Sequence, residues 1–369
     1  MRPIIVPLLL LAACSAEPVA NTTDAADVKP AGTATPTPAT APSAQPSAAA
    51  DSGAKPTLGE LKTFKDWTVG CDNTRTCKAV ALIPGETFED RLLAGVERGG
   101  DGTVTVRITG AAAADTRGTL AIDGRPALEG GTARDGDILF TGDPARRAAE
   151  ALAQGRAATL ATGGPATPLS LAGAAAALRW MDAQQGFAGT TLALVAKGER
   201  PLTVASPPAP PVVRAVAGYG ATRPLPAAEG AALRDRAECG IDDYRDDPPA
   251  GEIADLGGGA SLILVPCDSG AYNLMSATFV RRGDRIEPAM FDAETGFSPD
   301  PTPIPQPVNA QWQDGLLSTF AKGRGIGDCG SMQRFAWDGT RFRLVEQTTM
   351  GECRGSTDYI TVWRARVVR

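Results

Sequence analysis

Seven cysteines constrain this chain of 369 residues more than any other feature. They stand at positions 14, 71, 77, 239, 267, 329 and 353. An odd number leaves one thiol to be explained when the others are oxidised. If Cys14 has a separate role, the remaining six form an even set that suits three disulfides in an oxidising compartment. The cysteine count therefore predicts an exported chain that is held together by disulfides.

The amino terminus supplies a role for Cys14. Arg2 precedes an apolar run from Ile4 to Ala13, which is typical of an export signal and is shorter than the roughly 20 residues that span a bilayer. The run ends in Leu-Ala-Ala-Cys, which resembles the lipobox of bacterial lipoproteins. That resemblance implies cleavage before Cys14 and its acylation. Ser15 resembles the pattern that sorts to the outer membrane, and we expect the protein to face the periplasm. An ordinary secretory signal is the alternative.

The pairing of the other six cysteines is not fixed by their number, because six allow fifteen connectivities. The last two flank a predicted hairpin that turns at Asp338-Gly339. Zinc is a weaker interpretation, since the chain has no histidine and no Cys-x-x-Cys motif. Order along the chain suggests the pairs Cys71–Cys77, Cys239–Cys267 and Cys329–Cys353.

Composition divides the chain into segments. Residues 14–57 are rich in Ala, Pro, Thr and Ser and contain no aromatic residue, so we expect a disordered tether. A Ser-Pro-Pro-Ala-Pro-Pro stretch opens a second break. The predicted order is a signal peptide at 1–13, the tether at 14–57, an N-terminal β-rich domain at 58–205, a Pro-rich linker at 206–223 and a disulfide-bonded β-rich domain at 224–369.

Local patterns predict a mostly β (α+β) fold of two antiparallel-sheet domains, each with one or two short helices. Residues 103–108 alternate apolar and polar side chains, as a half-buried strand does. Asp143-Pro144 predicts the start of a helix that Gly155 can end, and Ser170 predicts a second helix cap. For the second domain we expect a helix over Ala227–Glu238 and strands at Ser261–Val265, Tyr272–Arg281, Leu316–Ala321, Gln333–Trp337, Arg341–Gln347 and Ile360–Val367.

The absence of histidine excludes several chemistries. Neither a Ser-His-Asp nor a Cys-His arrangement can be assembled, and no His-Glu-x-x-His zinc site exists. After loss of Arg2 the chain carries 35 basic against 42 acidic side chains, a net charge of −7 that disfavours nucleic acid as a partner. The acidic cluster around residues 242–247 lacks the spacing of a calcium loop and is interpreted as solvated. We expect no metal, no cofactor and no catalytic residues.

Residues 322–330 form the most unusual segment. The pattern Gly-x-Gly-x-x-Gly over 325–330 formally matches a dinucleotide fingerprint, but that mechanism needs a helix where a strand is expected here. One interpretation is a tight loop in which glycine permits positive φ. The other is a nest of backbone N–H groups that binds a small anion. The candidate ligand-binding residues are Lys322, Arg324, Gly325, Gly327 and Asp328.

Five segments resemble the bacterial envelope family called domain of unknown function 1176. They are the Trp–Cys strand over 64–77, Pro-Cys-Asp-Ser-Gly-Ala-Tyr-Asn over 266–273, the segment 322–330, Trp-Asp-Gly over 337–339 and Glu-Cys-Arg-Gly over 352–355. The N-terminal half also resembles invasion-associated locus B proteins. Both resemblances imply a fold and a location, and neither implies a chemistry.

The sequence thus predicts a lipid-anchored envelope protein that binds the bilayer through acylated Cys14. We expect a non-enzymatic role in binding a cell-wall component, a secreted protein or another envelope protein. The alternative is an inhibitor of a cell-wall hydrolase such as lysozyme, because residues 269–272 distantly resemble the loop of such inhibitors. A third hypothesis is a hydrolase that uses the carboxylates of Asp328 and Glu352.

Overall fold

The computed structural model describes residues 55–85, 92–110, 117–201, 206–243, 247–295 and 303–369. The signal peptide, Cys14 and nearly all of the tether lie outside these residues, as do residues 244–246 of the acidic cluster. The described residues form antiparallel sheets with three α-helices, and the predicted mostly β fold class is confirmed. None of the helices in the described ranges is long and apolar enough to cross a membrane.

The N-terminal half contains a seven-stranded sheet in the order β1-β2-β3-β4-β5-β9-β8 and a four-stranded sheet in the order β11-β10-β6-β7. Helices α1 and α2 pack on the common core of this half. The elements are β1 Leu61–Phe64, β2 Trp67–Cys71, β3 Cys77–Ala81, β4 Leu93–Arg98, β5 Val104–Thr109, β6 Gly118–Ile122, β7 Arg125–Gly130, β8 Thr132–Arg134, β9 Asp137–Thr141, α1 Gly142–Gln154, β10 Ala158–Ala161, β11 Thr167–Leu169 and α2 Ala174–Gln184.

The C-terminal half contains two five-stranded sheets, β13 to β17 and β18 to β22, and a parallel pair, β12 with β23. One 3-10 turn covers Ile241–Asp243. The elements are β12 Val212–Arg214, β13 Thr222–Pro224, α3 Ala227–Arg236, β14 Glu252–Gly257, β15 Ala260–Ser269, β16 Leu274–Arg282, β17 Arg285–Pro288, β18 Gln311–Gln313, β19 Leu316–Lys322, β20 Gly330–Trp337, β21 Phe342–Met350, β22 Ile360–Arg364 and β23 Arg366–Val368.

The two helix starts predicted in the N-terminal half need correction. Thr141, not Asp143, occupies the N-cap of α1, and Asp143 lies in the first turn. Ser170 does not cap α2 either, because the N-cap is Gly173 at φ 100°. A Cβ at Gly173 would lie 1.7 Å from the Phe64 carbonyl oxygen, so only glycine fits there. The Ser170 hydroxyl instead donates a hydrogen bond to the Asp66 carboxylate at 2.6 Å.

Layering in the C-terminal half leaves part of one sheet face exposed, while Phe320 on that face packs against a cluster that includes Val80 and Ile360. The β13–β17 sheet packs against α3 on one side through residues that include Leu233 and Phe279. On its other side it meets the β18–β22 sheet, where Leu262 packs in one core with Leu317 and Phe335. Strand residues alternate between faces, so Ser318 and Phe320 of β19 and their neighbours lie on the outer face of the β18–β22 sheet.

All three predicted disulfides are confirmed. Cys71–Cys77 joins β2 to β3, and Cys239–Cys267 ties the segment after α3 to β15. Cys329–Cys353 closes the open end of the β20–β21 hairpin, whose turn at residues 338–341 lies where the sequence predicts it. This third bridge holds residues 322–330 next to residues 353–355.

Contacts join the two halves of the described chain. Arg354 donates to the Ile83 carbonyl at 2.9 Å and also binds the Asp66 carboxylate. Lys78 of β3 lies 2.8 Å from the Asp358 carboxylate, next to β22. Residues 55–369 belong to one compact unit by their contacts. The division into two domains at the Pro-rich linker stays a prediction.

Candidate binding groove

A cavity of about 520 Å³ lies on the outer face of the β18–β22 sheet. Its floor comes from alternate residues of β19, β20 and β21, whose other faces are buried in the core. We call this cavity the groove. It is lined by Asn309, Gln311, Ser318, Thr319, Phe320, Lys322, Met332, Gln333, Arg334, Glu346 and Thr348.

Strand register arranges the floor into two rows that run across the strands. The polar row places Ser318 opposite Arg334 and Arg334 opposite Glu346. The second row places Phe320 opposite Met332 and Met332 opposite Thr348. Because two residues along a strand advance about 7 Å, the polar and the mainly apolar row lie side by side. The floor is thus suited to a ligand with polar and apolar parts.

The charged side chains of the groove are not neutralised by the protein. Arg334 is exposed and Glu346 is half-buried. Lys322 places its ammonium 5.4 Å from the centre of the Phe320 ring. Within the described part of the chain, no ion pair involves Lys322, Arg334 or Glu346. Two cations and one anion are therefore available to a ligand.

Tyr359 forms the wall beside Phe320. The Phe320 ring meets Tyr359 edge-on at 5.9 Å. The Tyr359 hydroxyl donates a hydrogen bond to the Gly327 carbonyl at 3.1 Å. Burial, together with the negative charge of Asp328, raises the pKa of Tyr359 to about 12. Tyr359 is therefore a protonated, structural donor at neutral pH.

The predicted anion-binding residues separate into two places. Lys322 lines the groove, whereas Arg324, Gly325, Gly327 and Asp328 do not. The Arg324 Nε donates to Asp328 Oδ1 at 2.6 Å, and a second guanidinium nitrogen binds the other oxygen. The structure thus brings Arg324 to Asp328 and not to Lys322.

The glycines of residues 322–330 have conformational roles. Gly327 has φ 70° and donates its N–H to the Arg324 carbonyl at 3.0 Å. Gly330 has φ 132°, and a Cβ there would lie 2.1 Å from the Ala321 carbonyl oxygen. β20 then begins where the dinucleotide fingerprint would require a helix. These observations favour the tight-loop interpretation, and the anion nest stays a prediction.

Asp328 serves as a buried structural anion. Its side chain is 2% exposed and accepts a further hydrogen bond of 2.7 Å from the Gly355 N–H. Burial alone would raise the pKa of Asp328, but the hydrogen bonds from Arg324 and Gly355 outweigh it and hold the pKa below its ordinary value. A general acid needs the opposite shift. The engagement of Asp328 with Arg324 and Gly355 therefore gives no support to the carboxylate-pair hypothesis.

Most of the groove is absent from the sequence-based candidates, although a signal was present. Ser318, Met332, Arg334, Glu346 and Thr348 occupy alternate positions of strands whose intervening residues are apolar or buried. Mixed polar and apolar side chains at every second position of three successive strands mark one open sheet face. Recognising this face from the sequence would have required knowing which strands lie side by side. No group of three or more metal-ligating side chains occurs among the described residues.

Fold and groove together define a disulfide-bonded, mostly β protein with an open polar groove on one sheet. The chain belongs to the family described as protein of unknown function (DUF1176), which matches residues 61–366. This confirms the family that the sequence motifs predict. A relative is the uncharacterized protein YpfG of Escherichia coli (strain K12), which is 29% identical over 333 residues and covers 83% of this chain and 93% of that protein.

A solved structure is also similar. It is the invasion associated protein B of Bartonella henselae, at 20% identity and a TM-score of 0.29, over 34% of this chain and 99% of that one. A similarity to that group, expected from the sequence, is present but weak. Nothing about function follows from it.

Proposed function

We propose that this protein is a lipid-anchored component of the bacterial cell envelope that binds an envelope ligand in the groove without catalysing a reaction. The lipobox resemblance at Cys14 supports the anchor, and the three disulfides support an oxidising compartment. The observation that carries the binding role is the open sheet face. Its charged side chains form no ion pair within the described residues and so remain available to a ligand.

The chemistry of the groove favours binding over catalysis. Glycoside hydrolysis uses two carboxylates that flank the bond to be cleaved. Among the residues that line the groove, Glu346 is the only acid. With no histidine in the chain, the most frequent general base is missing as well. Ser318 and Gln311 can instead donate and accept hydrogen bonds, and Arg334 can donate them, to hold a polar ligand in place.

Co-sedimentation with purified cell-wall sacculi tests this proposal. The mature protein is purified in detergent and compared with Ser318→Trp, which fills the floor of the groove. Thr132→Trp, on an exposed strand that does not line the groove, is the matched control. We expect at least a tenfold loss of bound protein for Ser318→Trp and no change for Thr132→Trp. Equal binding by all three proteins, or by none, would overturn the assignment of the groove to the cell wall.

Inhibition of a cell-wall hydrolase is the second candidate. The turn between β15 and β16 carries Tyr272, which is 40% exposed. Its hydroxyl donates to the Gly323 carbonyl at 3.0 Å, so the turn is held against the 322–330 segment. An inhibitor of this kind should block lysozyme at micromolar concentration and lose potency on Tyr272→Ala. Absence of inhibition by the unaltered protein leaves ligand binding as the function.

A further inference from the structure

The charge pattern of the groove narrows the chemistry of its ligand. Arg334 and Glu346 are directly opposed on antiparallel strands, where Cβ atoms lie about 4.5–5.5 Å apart. They point into the same groove, yet no ion pair joins them. A bulge between Arg334 and Phe335 shifts the register at this point. Bulges of this kind turn side chains toward binding sites.

This pair complements the two charges of a free amino acid. A guanidinium binds a carboxylate through two parallel hydrogen bonds. A carboxylate accepts hydrogen bonds from an ammonium, which has only donors. An α-amino acid carries its ammonium and its carboxylate on one carbon, so two opposed side chains of opposite charge can each bind one of the two groups. Acting together, Arg334 and Glu346 can therefore bind such a zwitterion. The negative charge of Glu346 disfavours binding of a dianion such as phosphate at the same position.

The other end of the groove is cationic. Lys322 lies opposite Gly330 of β20. Gly330 is four residues from Arg334 on the same strand, so these two backbone positions are about 13 Å apart. Its ammonium is held over the Phe320 ring and has no carboxylate partner in the described structure. A second carboxylate of the ligand would be stabilised here. An extended peptide of about four residues covers the same distance.

The floor between the charges favours a peptide over a sugar. Phe320 and Met332 form an apolar part of the floor, and Ser318 and Thr348 lie beside them. Sugar rings bind proteins by stacking on an open aromatic face. Lys322 occupies the face of Phe320, and Tyr359 contacts its edge. A short peptide with methyl groups and amides needs no such face.

We propose that the groove binds a short acidic peptide with a free amino-acid zwitterion at one end, seated on Arg334 and Glu346, and a second carboxylate on Lys322. Peptides with a diamino diacid residue have this chemistry, and the stem peptides of a cell wall supply it. This inference rests on the proposed function, because it names the ligand of the same groove.

Calorimetric titration with two synthetic peptides tests the inference. One is alanyl-γ-glutamyl-diaminopimelate, and the other has lysine in place of diaminopimelate and so lacks only the distal carboxylate. We expect the first to bind at least about tenfold more tightly, as a charge-assisted hydrogen-bond pair provides. Arg334→Gln should abolish that preference, whereas Lys322→Gln should weaken both peptides equally. Both side chains reach solvent, so the variants should unfold at the same urea concentration as the unaltered protein.

The outcomes separate this inference from the proposed function. Equal affinity for the two peptides, or a preference that survives Arg334→Gln, would overturn the zwitterion assignment. If neither peptide binds at millimolar concentration while sacculi still bind in a Ser318-dependent manner, the peptide inference is wrong and the groove recognises the glycan. If the unaltered protein binds neither the peptides nor the sacculi, the proposed function is wrong as well.

Discussion

Replacing Asp328 by asparagine tests the interaction that fixes the wall of the groove. The carboxylate joins Arg324 to the Gly355 N–H, and so connects residues 322–330 to residues 353–355. Asparagine has nearly the same shape but carries no charge, and it turns one acceptor into a donor that faces a guanidinium. The change therefore removes the ion pair while disturbing packing little.

The expected cost follows from burial on the two sides of the pair. Asp328 is 2% exposed, but Arg324 is 24% exposed and can regain water when its partner is lost. Hydrogen bonds to charged groups contribute about 1.5–3 kcal/mol, so Asp328→Asn should lower the free energy of unfolding by about 2–3 kcal/mol. Arg324→Met leaves the buried carboxylate without its cation and should cost more, about 3–5 kcal/mol.

The pH dependence gives an independent check. The pKa of Asp328 is lower in the folded protein than its ordinary value of about 3.9, so its contribution is fully present above that pH. It is lost as the pH falls through the folded pKa. The difference in unfolding free energy between the unaltered protein and Asp328→Asn should stay constant from pH 7 to pH 5 and shrink below about pH 3.9.

Urea unfolding followed by tryptophan fluorescence, with the disulfides intact, measures these values. Glu287→Gln is the matched control, because its pair with Arg285 has both side chains more than half exposed and should contribute less than about 1 kcal/mol. A loss below 0.5 kcal/mol (roughly the noise of such mutational comparisons) for Asp328→Asn would refute the structural role of this carboxylate. So would a difference that persists unchanged at pH 2.5.

Three further predictions concern stability and the anchor. Asp182 accepts hydrogen bonds from three backbone N–H groups and lies 2.8 Å from Arg98, with both side chains fully buried, so Asp182→Asn should cost about 3–5 kcal/mol in urea unfolding. Replacing Cys329 and Cys353 together by serine opens a loop with a sequence separation of 24 and should cost about 3.5 kcal/mol in the same assay. Cys14→Ser should abolish incorporation of radiolabelled palmitate in cells, and retained label would contradict the anchor.

Local patterns predict much of the fold. The alternation of residues 103–108 identifies β5, in which Val104, Val106 and Ile108 are buried. The hairpin signal at Asp338-Gly339 places β20 and β21 and, with them, the Cys329–Cys353 disulfide. These features depend on neighbours in sequence or on a count of cysteines, which the chain itself displays.

Features that depend on contacts between residues far apart in the sequence cannot be predicted from local patterns. Gly173 begins α2 because the Phe64 carbonyl lies too close for any side chain. Predicted strand 360–367 divides at Ala365, since β22 pairs with β21 while β23 pairs in parallel with β12. The groove requires three strands in register, and the partner of Arg324 becomes visible only when its loop closes onto Asp328. Each of these depends on the tertiary arrangement of segments.

Photo-crosslinking in growing cells tests most directly whether the outer face of the β18–β22 sheet meets the envelope ligand. A benzophenone amino acid at position 318 lies on the groove floor, and the same group at position 132 lies on an exposed strand elsewhere. After irradiation and muramidase digestion, we predict a cell-wall fragment attached to the protein at position 318, absent at 132 and reduced by Arg334→Gln. Equal adducts at both positions, or none at 318, would contradict the account.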